Sequence, residues 1–119
     1  MEKKVGILVV DDEKSIRLIL GEYFESLGFD VFVAEDGEEG VKSANENNPD
    51  FIFTDVDMPK MGGLEMIQQI WKKGKKPKIF IMSGRSTDEL EKFISDHQEI
   101  IFLEKPFRLS KVELLLKDL

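Results

Sequence analysis

Val5-Gly6-Ile7-Leu8-Val9-Val10-Asp11-Asp12 and, further along, Phe51-Ile52-Phe53-Thr54-Asp55-Val56-Asp57 are built alike: an apolar run that stops on acid. Neither run alternates with period two, and unbroken apolar runs are what strands covered on both faces look like. Three more runs of this kind follow, over Asp30–Ala34, Lys78–Met82 and Ile100–Leu103. Amphipathic stretches separate them, so the chain reads as strand–helix units repeated five times. That pattern implies right-handed crossovers and a parallel sheet between helices, an α/β doubly wound fold.

The intervening segments carry their own punctuation. Ile16, Ile19, Leu20, Tyr23, Phe24 and Leu27 recur at helical spacing, and Gly28 supplies the stop. Asp36-Gly37-Glu38-Glu39 suits a capping box opening a second helix that ends near Asn47-Asn48-Pro49. A third carries Leu64, Ile67, Ile70 and Trp71 inward and ends at Gly74. Ser86-Thr87-Asp88-Glu89 reads as another capping box, ahead of Leu90, Phe93 and Ile94. A fifth helix shows Leu109, Val112, Leu115, Leu116 and Leu119.

The 119 residues are enough for one core, and we expect a single domain over residues 1–119 with no output domain attached. Hydrophobic content of 41% and charged content of 34% fit a soluble globular chain. A net charge of −7 argues against a nucleic-acid-binding surface. The basic cluster Lys72, Lys73, Lys75, Lys76 and Lys78 straddles Gly74 and Pro77 and reads as a solvated loop. No run approaches the ~18 apolar residues of a membrane span, and no signal peptide is visible. The absence of cysteine excludes thiol chemistry and is compatible with the cytoplasm.

Strand ends of an open parallel sheet converge on one edge, where such folds bind ligands. Asp11 and Asp12 follow the first strand, Asp55 ends the third, Ser83 follows the fourth and Lys105 the fifth. Clustered carboxylates repel unless a proton or a metal relieves them, and Mg²⁺ prefers such oxygens. Carboxylate, Mg²⁺, lysine and hydroxyl together suit phosphoryl transfer onto an aspartate, with Asp55 as nucleophile. Each residue also has a structural reading. Asp11 and Asp12 would serve as a helix cap and first-turn charge, Asp55-Val56-Asp57 and Ser83 as turns, and Lys105 as a solvated lysine. His97 reads as a helix-surface residue, and Met58, Met61, Met66 and Met82 as packing. The case rests on the joint occurrence at strand ends.

With these residues placed, the chain closely resembles the receiver (CheY-like) domain of bacterial two-component response regulators. The matching segments are Ile7 to Glu13, Ala34 to Glu39, Asp50 to Pro59, Ile79 to Gly84 and Leu103 to Phe107. The resemblance implies a sheet of order 2-1-3-4-5 and a phosphorelay role in which Asp55 accepts a phosphoryl group from a histidine kinase or phosphotransfer protein. It implies Mg²⁺, or Mn²⁺ in its place, held by Asp11, Asp12, Asp55 and the backbone carbonyl of Asp57. Ser83 and Phe102 would be the switch pair, Lys105 the partner of the phosphoryl group, and Lys105-Pro106 a cis peptide. The chain would then catalyse only its own phosphorylation and dephosphorylation. A helix 4/strand 5/helix 5 surface would address a downstream protein, from a monomer or a weak phosphorylation-dependent dimer.

Three features depart from the family pattern. Met58-Pro59-Lys60-Met61-Gly62-Gly63 has glycine where Asp is common, which removes a helix cap. Gln98-Glu99 replaces a small pair before strand five. Asp57 and Arg85 flank the acceptor and switch positions and are expected to tune the lifetime of the phosphoryl group. The rival reading, a haloacid-dehalogenase-type phosphatase, has its acidic pair in the wrong chain order here and leaves no room for a substrate cap.

Overall fold

The computed structural model describes residues 4–117. Five strands, β1 (Gly6–Val10), β2 (Asp30–Ala34), β3 (Phe51–Asp55), β4 (Lys78–Ser83) and β5 (Ile101–Glu104), alternate with five helices. These are α1 (Lys14–Ser26), α2 (Gly37–Asn47), α3 (Gly63–Lys72), α4 (Asp88–Asp96) and α5 (Leu109–Lys117). All paired strands are parallel, in the order β2-β1-β3-β4-β5. Leu119 of the expected fifth helix lies outside the described residues. Among the described residues no helix is long and apolar enough to cross a membrane.

The unbroken apolar runs have the expected cause. Ile7, Val9, Phe53, Phe80 and Met82 point to one face, where Leu20, Phe24 and Val112 cover them. Leu8, Val10, Ile52, Ile79 and Ile81 point to the other, beneath Leu64, Met66, Ile67, Ile70, Leu90 and Phe93. Thus α1 and α5 pack on one side of the sheet and α2, α3 and α4 on the other. Phe53 and Phe80 stack face to face across β3 and β4, with centroids 4.2 Å apart. Burial of such a side chain contributes about 1.5–3 kcal/mol, so these two layers dominate the stability.

Several local expectations are corrected. Ile19 and Leu27 are exposed. The buried stripe of α1 runs through Leu20 and Phe24, with Ile16 and Tyr23 beside it, and Ile19 lies about 100° off Leu20 around the helix. The cap of α4 is Thr87, whose hydroxyl accepts from Leu90 N–H at 3.1 Å, one residue later than the Ser86 frame. Ser86 instead donates to Glu91. At α2 Asp36 does cap, accepting from Glu39 N–H, but the return bond from Glu39 reaches Glu35 N–H. Gly62 caps α3 with no side-chain bond. His97 is half-buried against Trp71 and Phe93, at 4.7 and 4.8 Å between ring centroids, and is not a bare surface residue.

Candidate functional site

Register brings the acids together. Val10 pairs with Thr54 and Thr54 with Ile81, so Asp11 and Asp55 leave the sheet side by side. Asp55 is the last residue of β3 and Ser83 the last of β4. Carboxylate oxygens of Asp11, Asp12 and Asp55 lie within 4.8 Å of one another. Asp11 is fully buried and Asp12 exposed. Asp11 Oδ1 accepts from Glu13 N–H at 2.9 Å, a turn ahead of α1; the cap position is Glu13 itself, without a side-chain bond, so neither Asp11 nor Asp12 caps the helix or charges its first turn.

Lys105 crosses the end of β4 beside Gly84 and places its ammonium 2.8 Å from Asp11 Oδ2. It lies 3.6 Å from Asp55 Oδ2 and 3.8 Å from Glu13 Oε1. Its primary partner is therefore Asp11, which the sequence reading did not foresee. Glu13 joins this cluster, and its position directly after the acidic pair is the signal the sequence carries for it. Burial alone would lower the Lys105 pKa, but the hydrogen bond and charge of Asp11, with Asp55 and Glu13, outweigh it and raise it. The Lys105-Pro106 bond is cis.

Asp55 is pushed up to about 6, chiefly by burial; Lys105 opposes this, whereas the charges of Asp11 and Asp12 add to it. Its Oδ1 accepts from Val56 N–H at 2.8 Å, leaving Oδ2 toward Lys105. Its backbone carbonyl accepts from the Thr54 hydroxyl at 2.8 Å. A Cβ on Gly63 would fall 2.1 Å from that same carbonyl oxygen, so the start of α3 seats directly on the Asp55 peptide. Three carboxylates against one ammonium leave excess negative charge on hard oxygen donors. That donor set fits a divalent cation of the Mg²⁺ type.

Ser83 is buried, and its hydroxyl donates to the Arg85 carbonyl at 2.7 Å. It also accepts weakly from Arg85 N–H at 3.3 Å. Arg85 Nε in turn lies 3.4 Å from Asp57 Oδ2, both side chains being exposed, so the two loops flanking Asp55 are bridged. Phe102 is half-buried against the core layer under α3 and α4.

Comparison with known proteins agrees with this geometry. The family profile of the response regulator receiver domain matches residues 7–117. The alkaline phosphatase synthesis transcriptional regulatory protein PhoP of Bacillus subtilis is 49% identical over 70 residues, 59% of this chain and 28% of its own length. The transcriptional regulatory protein SrrA of Staphylococcus aureus is 33% identical over 114 residues, 95% of this chain and 46% of its own. The chain thus spans less than half the length of these relatives. Among solved structures, the N-terminal domain of a Wolinella succinogenes protein superposes with a TM-score of 0.89 at 33% identity, covering 96% of this chain and 92% of that one. The Vibrio cholerae chemotaxis protein CheY4 does so with 0.87 at 25%, covering 98% of each. By the match over nearly its whole length, the chain belongs to the response regulator receiver domain family of two-component signalling.

Proposed function

We propose that this receiver takes a phosphoryl group on Asp55 from a phosphohistidine of a kinase or phosphotransfer protein and relays the change to a protein target. The observation that carries this reading is the setting of Asp55, with Asp11 and Asp12 within ligating reach and Lys105 3.6 Å from its Oδ2. In the transfer Asp55 Oδ2 bonds to phosphorus as the phosphorus–nitrogen bond of the donor breaks, and the imidazole leaves with the electron pair. Lys105 is close enough to neutralise a phosphoryl oxygen after exchanging part of its contact with Asp11. Asp11, Asp12, Asp55 and the Asp57 carbonyl would hold Mg²⁺ or Mn²⁺, which when bound supplies positive charge for the phosphoryl oxygens.

Ser83 is the switch in this reading. Its hydroxyl is satisfied by the Arg85 backbone, and a phosphoryl oxygen on Asp55 offers a stronger, charged acceptor. Movement of the β4–α4 turn toward Asp55 would vacate space for Phe102, altering the α4/β5/α5 surface. The domain works on no other substrate and resides in the cytoplasm. Intact mass after incubation with acetyl phosphate tests the core of this. One phosphoryl group is expected with Mg²⁺ and none with chelator, and labelling is expected to vanish in Asp55→Asn. Undiminished labelling of that variant excludes the assignment, and multiple turnover of p-nitrophenyl phosphate favours a phosphatase instead.

A further inference from the structure

At the edge of the sheet opposite Asp55, where β4 begins rather than ends, a cavity of about 270 Å³ opens between the ends of α3 and α4. Trp71, His97, Lys76 and Lys78 line it, with Glu99 at one side. The Trp71 indole lies parallel to the buried Phe93 ring, at 5.9 Å and 4°, and His97 closes on both. His97 is inclined 53° to Trp71 and 49° to Phe93, so the two lining rings meet at an angle, and Phe93 backs Trp71 without lining the cavity. Lys76 Nζ sits 5.6 Å from the centroid of the Trp71 ring. Among the described residues, none of Lys72, Lys73, Lys75, Lys76 and Lys78 pairs with a carboxylate.

The C-terminus of α3 explains part of this lysine excess, because cations are favoured in a helix's last turn. That effect ends with Lys72 and Lys73. Lys76 and Lys78 lie beyond it and face the cavity on a chain whose net charge is −7. An indole face flanked by an inclined imidazole, beside two ammonium groups, suits a heteroaromatic ring carrying an anionic group. At about 270 Å³ the cleft falls just below the ~300–1,000 Å³ of most small-molecule sites, which excludes a dinucleotide.

We infer that this cleft binds a small anionic heteroaromatic of the nucleoside monophosphate class, its base stacked on the Trp71 indole with His97 against its edge and its phosphate on Lys76 and Lys78. The ring displaces Lys76 from the indole, and the freed ammonium turns to the phosphate. Glu99, the one carboxylate among the lining residues, lies with its Oε1 3.9 Å from His97 Nδ1. Nothing in this depends on Asp55, so phosphorylation and ligand binding are separable.

Trp71 is the only tryptophan, so its fluorescence reports on this cleft directly. Adenosine monophosphate is titrated into the full chain with excitation beyond the nucleotide's absorbance, and the site is mapped by NMR. A saturable change is expected, with shifts centred on Trp71 and His97. Lys76→Glu is expected to weaken binding roughly tenfold, about the worth of one charge-assisted contact. Inorganic phosphate and potassium chloride at matched ionic strength are expected to give no saturation. The inference is overturned by absence of a saturable change, by affinity unaltered in Lys76→Glu, or by shifts centred on Asp11 and Asp55. Equal affinity for adenosine without its phosphate overturns the role given to the lysines.

Discussion

At Asp55 the ordinary preference of a carboxyl group for its charged form is reversed over part of the pH range. Its value rises from 3.8 to about 6, so between these two the native state binds more protons than the unfolded chain. Stability from this group is therefore present below about pH 4 and is lost as pH rises through about 6. That rise in the Asp55 value corresponds to at most about 3 kcal/mol. In metal-free protein, Asp55→Asn should raise the urea unfolding free energy at pH 7 by about 2 kcal/mol, with the gain shrinking toward zero near pH 4. A gain equal at both values, or none at pH 7, contradicts the burial argument. The neighbouring Asp57–Arg85 bridge predicts an effect on rate rather than stability. As an exposed pair it contributes only ~0–1 kcal/mol to folding. It nevertheless spans the two loops flanking Asp55, where it would obstruct the approach of water to a phosphoryl group on that residue. Arg85→Ala should lose its Asp55 phosphate faster than the parent, as followed by intact mass. Asp57→Ala should do so as well if the bridge acts, and should match the parent if Arg85 alone contacts the phosphoryl group. Equal or slower loss in Arg85→Ala sinks the idea.

Among the elements, the strands were legible because burial on both faces leaves a run no helix imitates at that length. Helix faces were legible only to within a residue. Ile19 and Leu27 satisfy the spacing of α1, yet the sheet covers a narrower arc than the apolar residues offer. At α4, Ser86 and Thr87 are both competent caps, and local sequence does not rank them; the turn that ties Ser83 to Arg85 sets where the helix begins. Gly62 and Gly63 form a doubled glycine before α3, whose ordinary effect is a looser loop. Gly63 is instead required, because a Cβ there would meet the Asp55 carbonyl oxygen at 2.1 Å. Gly63→Ala must push α3 away from β3, and overpacking of this kind costs typically about 1–3 kcal/mol. We expect a loss near the top of that range in chemical unfolding, together with impaired labelling of Asp55. A variant as stable as the parent and labelled as fast shows that the loop yields without disturbing the acceptor.

On the scale of the whole molecule, topology delivered the site. Residues far apart in the chain had to meet once five strands were ordered in parallel, and Asp11, Asp12, Asp55, Ser83 and Lys105 do share an edge. Topology does not say which charge takes which partner. Strands lie about 4.8 Å apart, so β5 is roughly 14 Å from β1. Only the path of Lys105 past Gly84 shows that its ammonium reaches Asp11 first. The cluster of Trp71, Phe93 and His97 was hidden for a similar reason, since its rings come from α3, α4 and the residue that closes α4, which meet only in three dimensions. The Asp11 contact gives Lys105 two duties, balancing charge at rest and, in the proposed function, reading the phosphoryl group. Lys105→Ala leaves all three carboxylates in place and removes a competing cation, so Mg²⁺ affinity should be unchanged or somewhat higher. The link from Asp55 to the β5 end of the sheet is lost, however. After phosphorylation, chemical shifts at Ser83 and Phe102 should therefore change far less in the variant than in the parent. Parent-like shifts in a fully phosphorylated Lys105→Ala protein would show that the hydroxyl switch alone carries the response, and Lys105 would then be confined to charge balance.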